Sequence, residues 1–219
     1  MSLELSGTTG VKGVAGSVSA PSIVGDDTNT GISFPSADTI KFSTGGVERM
    51  SITNSGVSGI TTGITMADSW RITSNFNNNA IPLTSNWERG DLSPYEGYLG
   101  SAGLTESSGV FSFPLTGWYF INYSHDFSTS SDADYIYMGL DVSNDSGSNY
   151  TSLSYAASHT YGGGDTLYHN STQSSLFKIT NVSTQRIRFY VERQTGTVVT
   201  LGSTNRKQTG FDIFRLGDT

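Results

Sequence analysis

The 219-residue chain contains no cysteine, only 5 prolines and only 14% charged residues, against about 25% in an ordinary soluble domain. Without cysteine there are no disulfide bonds, thiolate metal sites or cysteine nucleophiles. No run of 18 apolar residues occurs, so we expect no membrane insertion. The 19 acidic and 12 basic residues give a net charge of −7, which argues against nucleic-acid binding. The first residues lack the basic and apolar pattern of a signal peptide, so export by that route is not expected.

The residue types that are abundant in the chain favour β-structure. Glycine accounts for 26 residues, serine and threonine are abundant, and strong helix formers are scarce. Aromatic residues make up 11% of the chain, which is too many for a disordered low-complexity segment. No stretch combines helical periodicity with start and stop signals. The sequence therefore predicts an all-β protein.

The aromatic residues divide the chain into two parts. Before Trp70 only Phe34 and Phe42 occur, so this part lacks the side chains for an independent core. We predict a virion-anchoring segment at 1–22 and a short β stem at 23–66, in which copies of the chain intertwine to bury their strands. A flexible leader is the alternative, because turn-rich composition also marks linkers. The predicted strands are 17–24, 31–35, 39–43, 49–53 and 57–64.

The second part, 67–219, has the size of an ordinary domain. Residues 134–142 alternate in the period of a strand, with Ile136, Met138 and Leu140 on the apolar face. Further strands are predicted within 109–123 and at 175–179, 185–193, 197–201 and 210–216. Many short strands at this spacing predict a jelly-roll β-sandwich.

A spaced motif links the second part to a known family. Its residues are Phe111, Gly117, Tyr119, Ile121 and Tyr123, with Leu104 upstream. This pattern resembles the signature of the complement globular head, a tumour-necrosis-factor-like domain, although the family has an aromatic residue where Ile121 stands. The resemblance covers roughly the last two-thirds of the chain and implies a homotrimeric jelly-roll knob.

A second pattern lies in the first part of the chain. Segments 24–32, 37–42 and 45–52 carry Gly-Asp, Thr-Gly-Ile and Gly-Gly-x-Glu-Arg-Met in order, and Ser-Gly-x-x-Gly-Ile follows at 55–60. This order resembles a segment of bacteriophage tail-fibre and virion-fibre proteins, where it forms trimeric β stalks. The resemblance implies a virion protein made in the host cytoplasm. Its partners would be baseplate, tail or capsid proteins, bound through 1–22.

Two aromatic clusters in the second part are candidates for receptor binding. Aromatic rings beside Ser, Thr and Asn suit carbohydrate recognition, because rings stack on sugars while hydroxyls and amides bond to them. We therefore expect a bacterial surface glycan or protein as partner, bound by loops around 87–98 and 155–169. Packing in the core or between subunits is the alternative for each residue. The candidates are Trp87, Tyr95, Tyr98, Tyr155, His159, Tyr161, Tyr168 and His169.

Catalysis, cofactors and metal binding are not predicted. The chain has no Gly-x-Ser-x-Gly elbow, and its three histidines lack zinc-ligand spacing. Asp132, Asp134, Asp141 and Asp145 do not match a calcium-binding loop, so a solvated surface is favoured over a calcium site. The predicted function is a trimeric phage fibre with a receptor-binding knob. A capsid-decorating fibre without receptor role, or a host-polysaccharide depolymerase, is the alternative.

Overall fold

A computed structural model of the protein describes residues 4–6, 10–12, 15–59, 63–91, 97–100, 102–161, 164–194 and 197–218. The chain divides into two compact units, Met1–Thr62 and Gly63–Thr219. Across the described ranges the secondary structure consists of strands and turns, without a helix. Accordingly, no helix there is long and apolar enough to cross a membrane. The three predicted segments, 1–22, 23–66 and 67–219, stay a prediction.

The first unit contains an antiparallel five-stranded sheet in which each strand pairs with the next along the chain. Turns at Gly45-Gly46 and Asn54-Ser55 connect its longer strands, as the sequence predicts. A separate pair, β1 and β2, precedes this sheet. The strands are β1 (Glu4–Ser6), β2 (Gly10–Lys12), β3 (Ile23–Val24), β4 (Gly31–Ser33), β5 (Ile40–Thr44), β6 (Val47–Thr53) and β7 (Gly56–Ser58).

One face of this sheet, here called the stem face, is apolar across all five strands. Directly paired residues point to the same side of a sheet, so the register defines the face. The opposite face carries serines together with the ion pair of Lys41 and Glu48, 2.7 Å apart. The stem face stays partly exposed, with 56% exposure for Ile23 and 57% for Val57. Its residues are Ile23, Ile32, Ile40, Phe42, Met50, Ile52 and Val57.

The second unit is a sandwich of two antiparallel sheets. Sheet 1 has the order β10-β8-β19-β13-β16, with β9 and β18 at its margins, and sheet 2 has the order β11-β12-β17-β14-β15. Strands β15 and β16 follow each other in sequence but lie at the edges of different sheets. The strands are β8 (Met66–Ile72), β9 (Trp87–Arg89), β10 (Tyr98–Leu99), β11 (Thr105–Ser107), β12 (Val110–Ser112), β13 (Gly117–Thr129), β14 (Ala133–Ser143), β15 (Thr151–Thr160), β16 (Leu167–Ile179), β17 (Arg186–Arg193), β18 (Val199–Thr200) and β19 (Gly210–Gly217).

The core lies between the two sheets and follows the alternation of their strands. In β14, Ile136, Met138 and Leu140 are fully buried, which confirms the apolar face predicted for this strand. In β13, Tyr119 and Ile121 point inward while Trp118 and Phe120 point outward. Large side chains on both faces of one strand are unusual for a sheet with only one buried face.

The residues of the spaced motif lie in this core. Phe111, Tyr119, Ile121 and Tyr123 are all 0% exposed, and Leu104 is 2% exposed. Gly117 begins β13 with a φ of 150°, and a Cβ there would meet the Gly217 carbonyl and the Arg215 guanidinium. The motif therefore encodes the packing of the sandwich, and its glycine allows the close approach of β13 and β19.

Candidate functional site

An apolar row crosses the outer face of sheet 1. Five residues on five adjacent strands are paired directly with one another, so their side chains point to the same side. Phe120 and Phe214 lie half-buried at its centre, and Leu99 and Leu176 lie exposed at its ends. We call this row, Leu99, Ala67, Phe214, Phe120 and Leu176, the apolar band. An apolar row across a whole sheet face is typical of a surface that binds a partner.

The two edges of sheet 1 differ in shape. A groove of about 370 Å³ lies at the β10 edge and is lined by Ala67, Tyr98, Leu99 and Phe214, among other residues. At the β16 edge, Leu176 and Tyr168 are 56% and 74% exposed. One edge therefore offers a groove and the other offers exposed apolar side chains on the same outer face.

Four of the predicted receptor-binding residues are exposed near the β15–β16 edge. Tyr155 and His159 lie on the outer face of sheet 2. The ring centroids of His159 and Tyr161 are 5.8 Å apart. Tyr168 lies on the outer face of sheet 1 instead. Tyr155, His159 and Tyr168 belong to strands rather than to the predicted loop, because β15 extends to Thr160 and β16 begins at Leu167.

Two other predicted residues point into the molecule. Trp87 packs on the core, with ring centroids 5.2 Å from Phe111 and 5.6 Å from Phe211, and its indole N–H donates to the Leu83 carbonyl. The ring of His169 stacks on that of Phe127 with their centroids 5.2 Å apart, and Nε2 of His169 is buried. Both residues therefore pack inside the sandwich. Tyr95 lies outside the described residues.

Tyr98 lies at the β10 edge of sheet 1, far across the sheet from β16. The guanidinium of Arg89 lies 5.1 Å from its ring and 4.6 Å from that of Trp70. Arg89 is held by the buried carboxylate of Asp68, which accepts from Arg89 Nε at 2.9 Å and from the Leu104 N–H at 2.6 Å. The structure thus does not bring the two predicted aromatic clusters together.

The acidic residues considered for calcium are engaged by protein groups. Asp141 pairs with Arg188, with Oδ2 2.9 Å from Nε. Asp145 accepts from the backbone and side-chain amides of Asn149 and from the Ser143 hydroxyl, and these hydrogen bonds lower its pKa to about 2. Asp134 accepts from the side-chain amide of Gln194. Within the described ranges, no three His, Asp or Glu side chains group as a metal site would require.

His125 is a buried titratable group to which the sequence assigns no role. Its side chain on β13 is 0% exposed, and Nε2 lies 2.9 Å from Thr200 Oγ1. Burial, together with the charge of Arg193, lowers the pKa of His125 to about 3. Arg193 is itself buried, and its Nη1 donates to the Val198 carbonyl. His125 is therefore neutral in the folded protein at neutral pH.

We expect His125 to make the protein less stable as the pH falls. In the unfolded chain its pKa returns to about 6.5, so between pH 6.5 and pH 3 the unfolded state binds a proton that the folded state does not. The free energy of unfolding should therefore decrease by up to about 1.4 kcal/mol per pH unit as the pH falls through this window. Urea unfolding at pH 7, 6, 5 and 4.5 measures this slope.

The control is His125→Gln, which keeps a polar side chain but cannot titrate. Whatever the variant costs in stability at pH 7, its pH slope should be shallower than that of the wild type. Measurements stop at pH 4.5 because carboxylates with lowered pKa values, such as Asp145, contribute at lower pH. Identical slopes in the two proteins would contradict the buried neutral histidine.

Comparison with known structures identifies the fold. The chain is similar to Eiger TNF from S. frugiperda, with 15% identity and a TM-score of 0.52, over 73% of this chain and 96% of that one. It is also similar to murine APRIL, with 10% identity and a TM-score of 0.45, over 69% and 99% of the two chains. No protein-family model and no curated protein matches the sequence.

The likeness to Eiger TNF shows a shared fold. Together with the two-sheet sandwich, it confirms the prediction of an all-β chain with a tumour-necrosis-factor-like jelly roll. At 15% identity it carries no information about partners or activity. The homotrimer, the intertwined stem and the phage origin stay predictions.

Proposed function

We propose that the protein is a homotrimeric fibre protein of a bacteriophage. Residues 1–22 attach it to baseplate, tail or capsid proteins, the sheet of the first unit forms the stem, and the second unit forms a receptor-binding knob. The knob binds a glycan on the bacterial surface. The protein is made in the host cytoplasm, acts on the virion and needs neither a cofactor nor catalysis.

The observation that carries this proposal is the apolar band. A groove at the β10 edge and exposed side chains at the β16 edge are complementary features on different parts of one surface. A contact between unlike patches of identical chains generates a ring when its rotation closes. In a trimer, Leu176 of each copy enters the groove beside Leu99 of the next, and the half-buried Phe120 and Phe214 lose their remaining contact with water.

The stem face supports assembly independently. It is the apolar side of a sheet that stays partly exposed in a single chain. Burying apolar area contributes about 25 cal/mol per Å², so apposing three such faces stabilises a trimer. The two units thus both present apolar surfaces suited to further copies of the chain.

The phage origin is supported by the sequence pattern of 24–60, which resembles fibre stalks. For the knob, the exposed residues Tyr155, His159 and Tyr161 are the contact surface we propose. Trp87 and His169 are omitted because they pack inside the sandwich. Tyr168 lies on the outer face of sheet 1, away from the apolar band along β16, and is also left out of the proposed contact surface.

Binding of the labelled full chain to a panel of bacterial strains tests this function. We expect binding to a subset of strains and its loss after periodate oxidation of surface glycans. The double variant His159→Ala with Tyr161→Ala should bind at least tenfold more weakly. Leu115→Ala is the matched control, because Leu115 is also exposed but precedes β13 at the opposite end of the sandwich.

Two results would contradict the receptor role. Binding to no strain would favour the capsid-decorating fibre, and binding that survives periodate treatment would exclude a glycan receptor. Release of sugar fragments from the cells would instead indicate a depolymerase.

A further inference from the structure

The outer face of sheet 2 carries four tyrosines around one glycine. Tyr155 on β15 and Tyr190 on β17 are each paired directly with Gly139 on β14, one from either side. Tyr137, two residues earlier on β14, points to the same face, and Tyr135 precedes it. We call these four residues, Tyr135, Tyr137, Tyr155 and Tyr190, the tyrosine platform.

The four rings form a continuous patch with Tyr137 at its centre. The Tyr137 ring centroid lies 5.8 Å from Tyr135, 5.6 Å from Tyr155 and 5.9 Å from Tyr190. A Cβ at Gly139 would overlap the Tyr190 ring, so that ring lies directly over the glycine backbone. Because Gly139 has no side chain, the Tyr190 ring packs directly on the backbone of β14, beside the other rings.

Polar groups surround the platform. Tyr137 donates its hydroxyl hydrogen to Glu192 Oε2 at 2.5 Å, and Tyr190 Oη lies 3.3 Å from Ser152 Oγ. The carboxylate of Asp134, which accepts from Gln194, lies beside Tyr135 in the sequence. The rim thus offers hydroxyls and acidic acceptors, and Arg188, two residues before Tyr190 on the same face of β17, is paired with the carboxylate of Asp141.

Packing alone does not account for this patch. Tyr155 is 60% exposed and Tyr135 is 40% exposed, so two of the four rings leave much of their surface in water. Clusters of exposed aromatic residues mark surfaces that bind partners. An acidic rim disfavours phosphate, sulfate and nucleic acid. A neutral sugar ring fits such a surface. Its C–H face can stack on the tyrosine rings, and its hydroxyls can donate hydrogen bonds to the acceptors on the rim.

We propose that the tyrosine platform is a binding site for a neutral saccharide, with Tyr155 as its stacking residue and Glu192 as an acceptor for sugar hydroxyls. This inference rests on the proposed glycan-binding function and assigns its central site to the outer face of sheet 2. A protein partner is the competing occupant, since tyrosine is also enriched in protein interfaces.

The test is saturation-transfer NMR of the full chain with maltohexaose, cellohexaose and mannohexaose as probes. At least one probe should bind to the wild type, and Tyr155→Ala should weaken that binding at least tenfold. Tyr155→Phe should retain it, because the ring rather than the hydroxyl makes the stacking contact. Tyr168→Ala is the matched control, since Tyr168 is 74% exposed but lies on the outer face of sheet 1, outside the platform, and it should bind each probe as the wild type does.

Binding of none of the three probes, or equal binding by wild type and Tyr155→Ala, would overturn the platform as the saccharide site. Cell binding separates this failure from that of the proposed function. If Tyr155→Ala still adsorbs to bacteria in a periodate-sensitive way, the function stands and the site is wrong. If adsorption depends on Tyr155 but is destroyed by protease instead of periodate, the occupant is a protein and the saccharide proposal is wrong.

Discussion

Replacing Phe111 by alanine should lower the free energy of unfolding by about 3–5 kcal/mol. Phe111 on β12 is 0% exposed and lies where side chains of both sheets meet. Its ring centroid lies 5.2 Å from Trp70, 5.2 Å from Trp87 and 5.0 Å from Phe211, all in edge-to-face geometry. Alanine removes the ring, loses these aromatic contacts and leaves a cavity that rigid neighbours cannot fill.

Denaturant unfolding at a fixed chain concentration measures this loss, because association makes the apparent stability depend on concentration. Tyr161→Ala serves as the control for loss of an aromatic ring from an exposed site, and it should change stability by less than about 0.5 kcal/mol. A loss below about 1 kcal/mol for Phe111→Ala would mean that the centre of the sandwich is not packed as described.

The second large effect concerns assembly. We expect the double variant Leu176→Asp with Val57→Asp to be a monomer under conditions in which the wild type forms the proposed trimer. Leu176 and Val57 are 56% and 57% exposed in a single chain, so aspartate at either site should not disturb the fold of the monomer. In the assembled trimer, however, each aspartate would place an unpaired carboxylate in an apolar contact.

Both sites are changed because the knob and the stem each present an apolar surface, and we expect either surface alone to hold the copies together. Each single variant should therefore weaken the trimer without abolishing it. The matched control is Tyr161→Asp with Ser55→Asp, which adds the same charge at exposed positions outside the apolar band and the stem face. Dissociation of the control as well would point to a general charge effect.

The strands with large apolar residues could be predicted from the sequence. In β14 and β17 the inward residues are Ile, Met, Leu, Phe and Val, so alternation alone reveals the buried face. The turn at 180–183 between β16 and β17 was also readable, because Asn and Ser interrupt two such runs. β14 and β17 are neighbours in sheet 2, so alternation predicts the buried face of that sheet.

Strand β15 could not be predicted in this way. Its inward positions hold small residues such as Ser154 and Ala156, so the period-two signal is missing. Space is limited there because β15 and β16 close the edge of the sandwich, where Ser154 Oγ lies 2.7 Å from Ser175 Oγ and 3.1 Å from Tyr123 Oη. A hydrophobicity pattern does not reveal a strand whose buried contacts are hydrogen bonds between small side chains.

The candidate site was predicted only in part. Proximity along the chain groups the exposed Tyr161 with the inward-facing His169. The tyrosine platform and the apolar band depend instead on cross-strand pairing. Tyr190 is far from Tyr137 in sequence and becomes its neighbour only through the register of β14 and β17. Such sites can be identified only once the register is known.

In the proposed fibre, three copies of this chain assemble through the apolar band and the stem face. Analytical ultracentrifugation of the full-length wild-type protein at micromolar concentration tests it most directly. We expect a single species with three times the molar mass of the chain. A stable monomer at that concentration would contradict the proposed fibre, the assignment of the apolar band and the role of the stem.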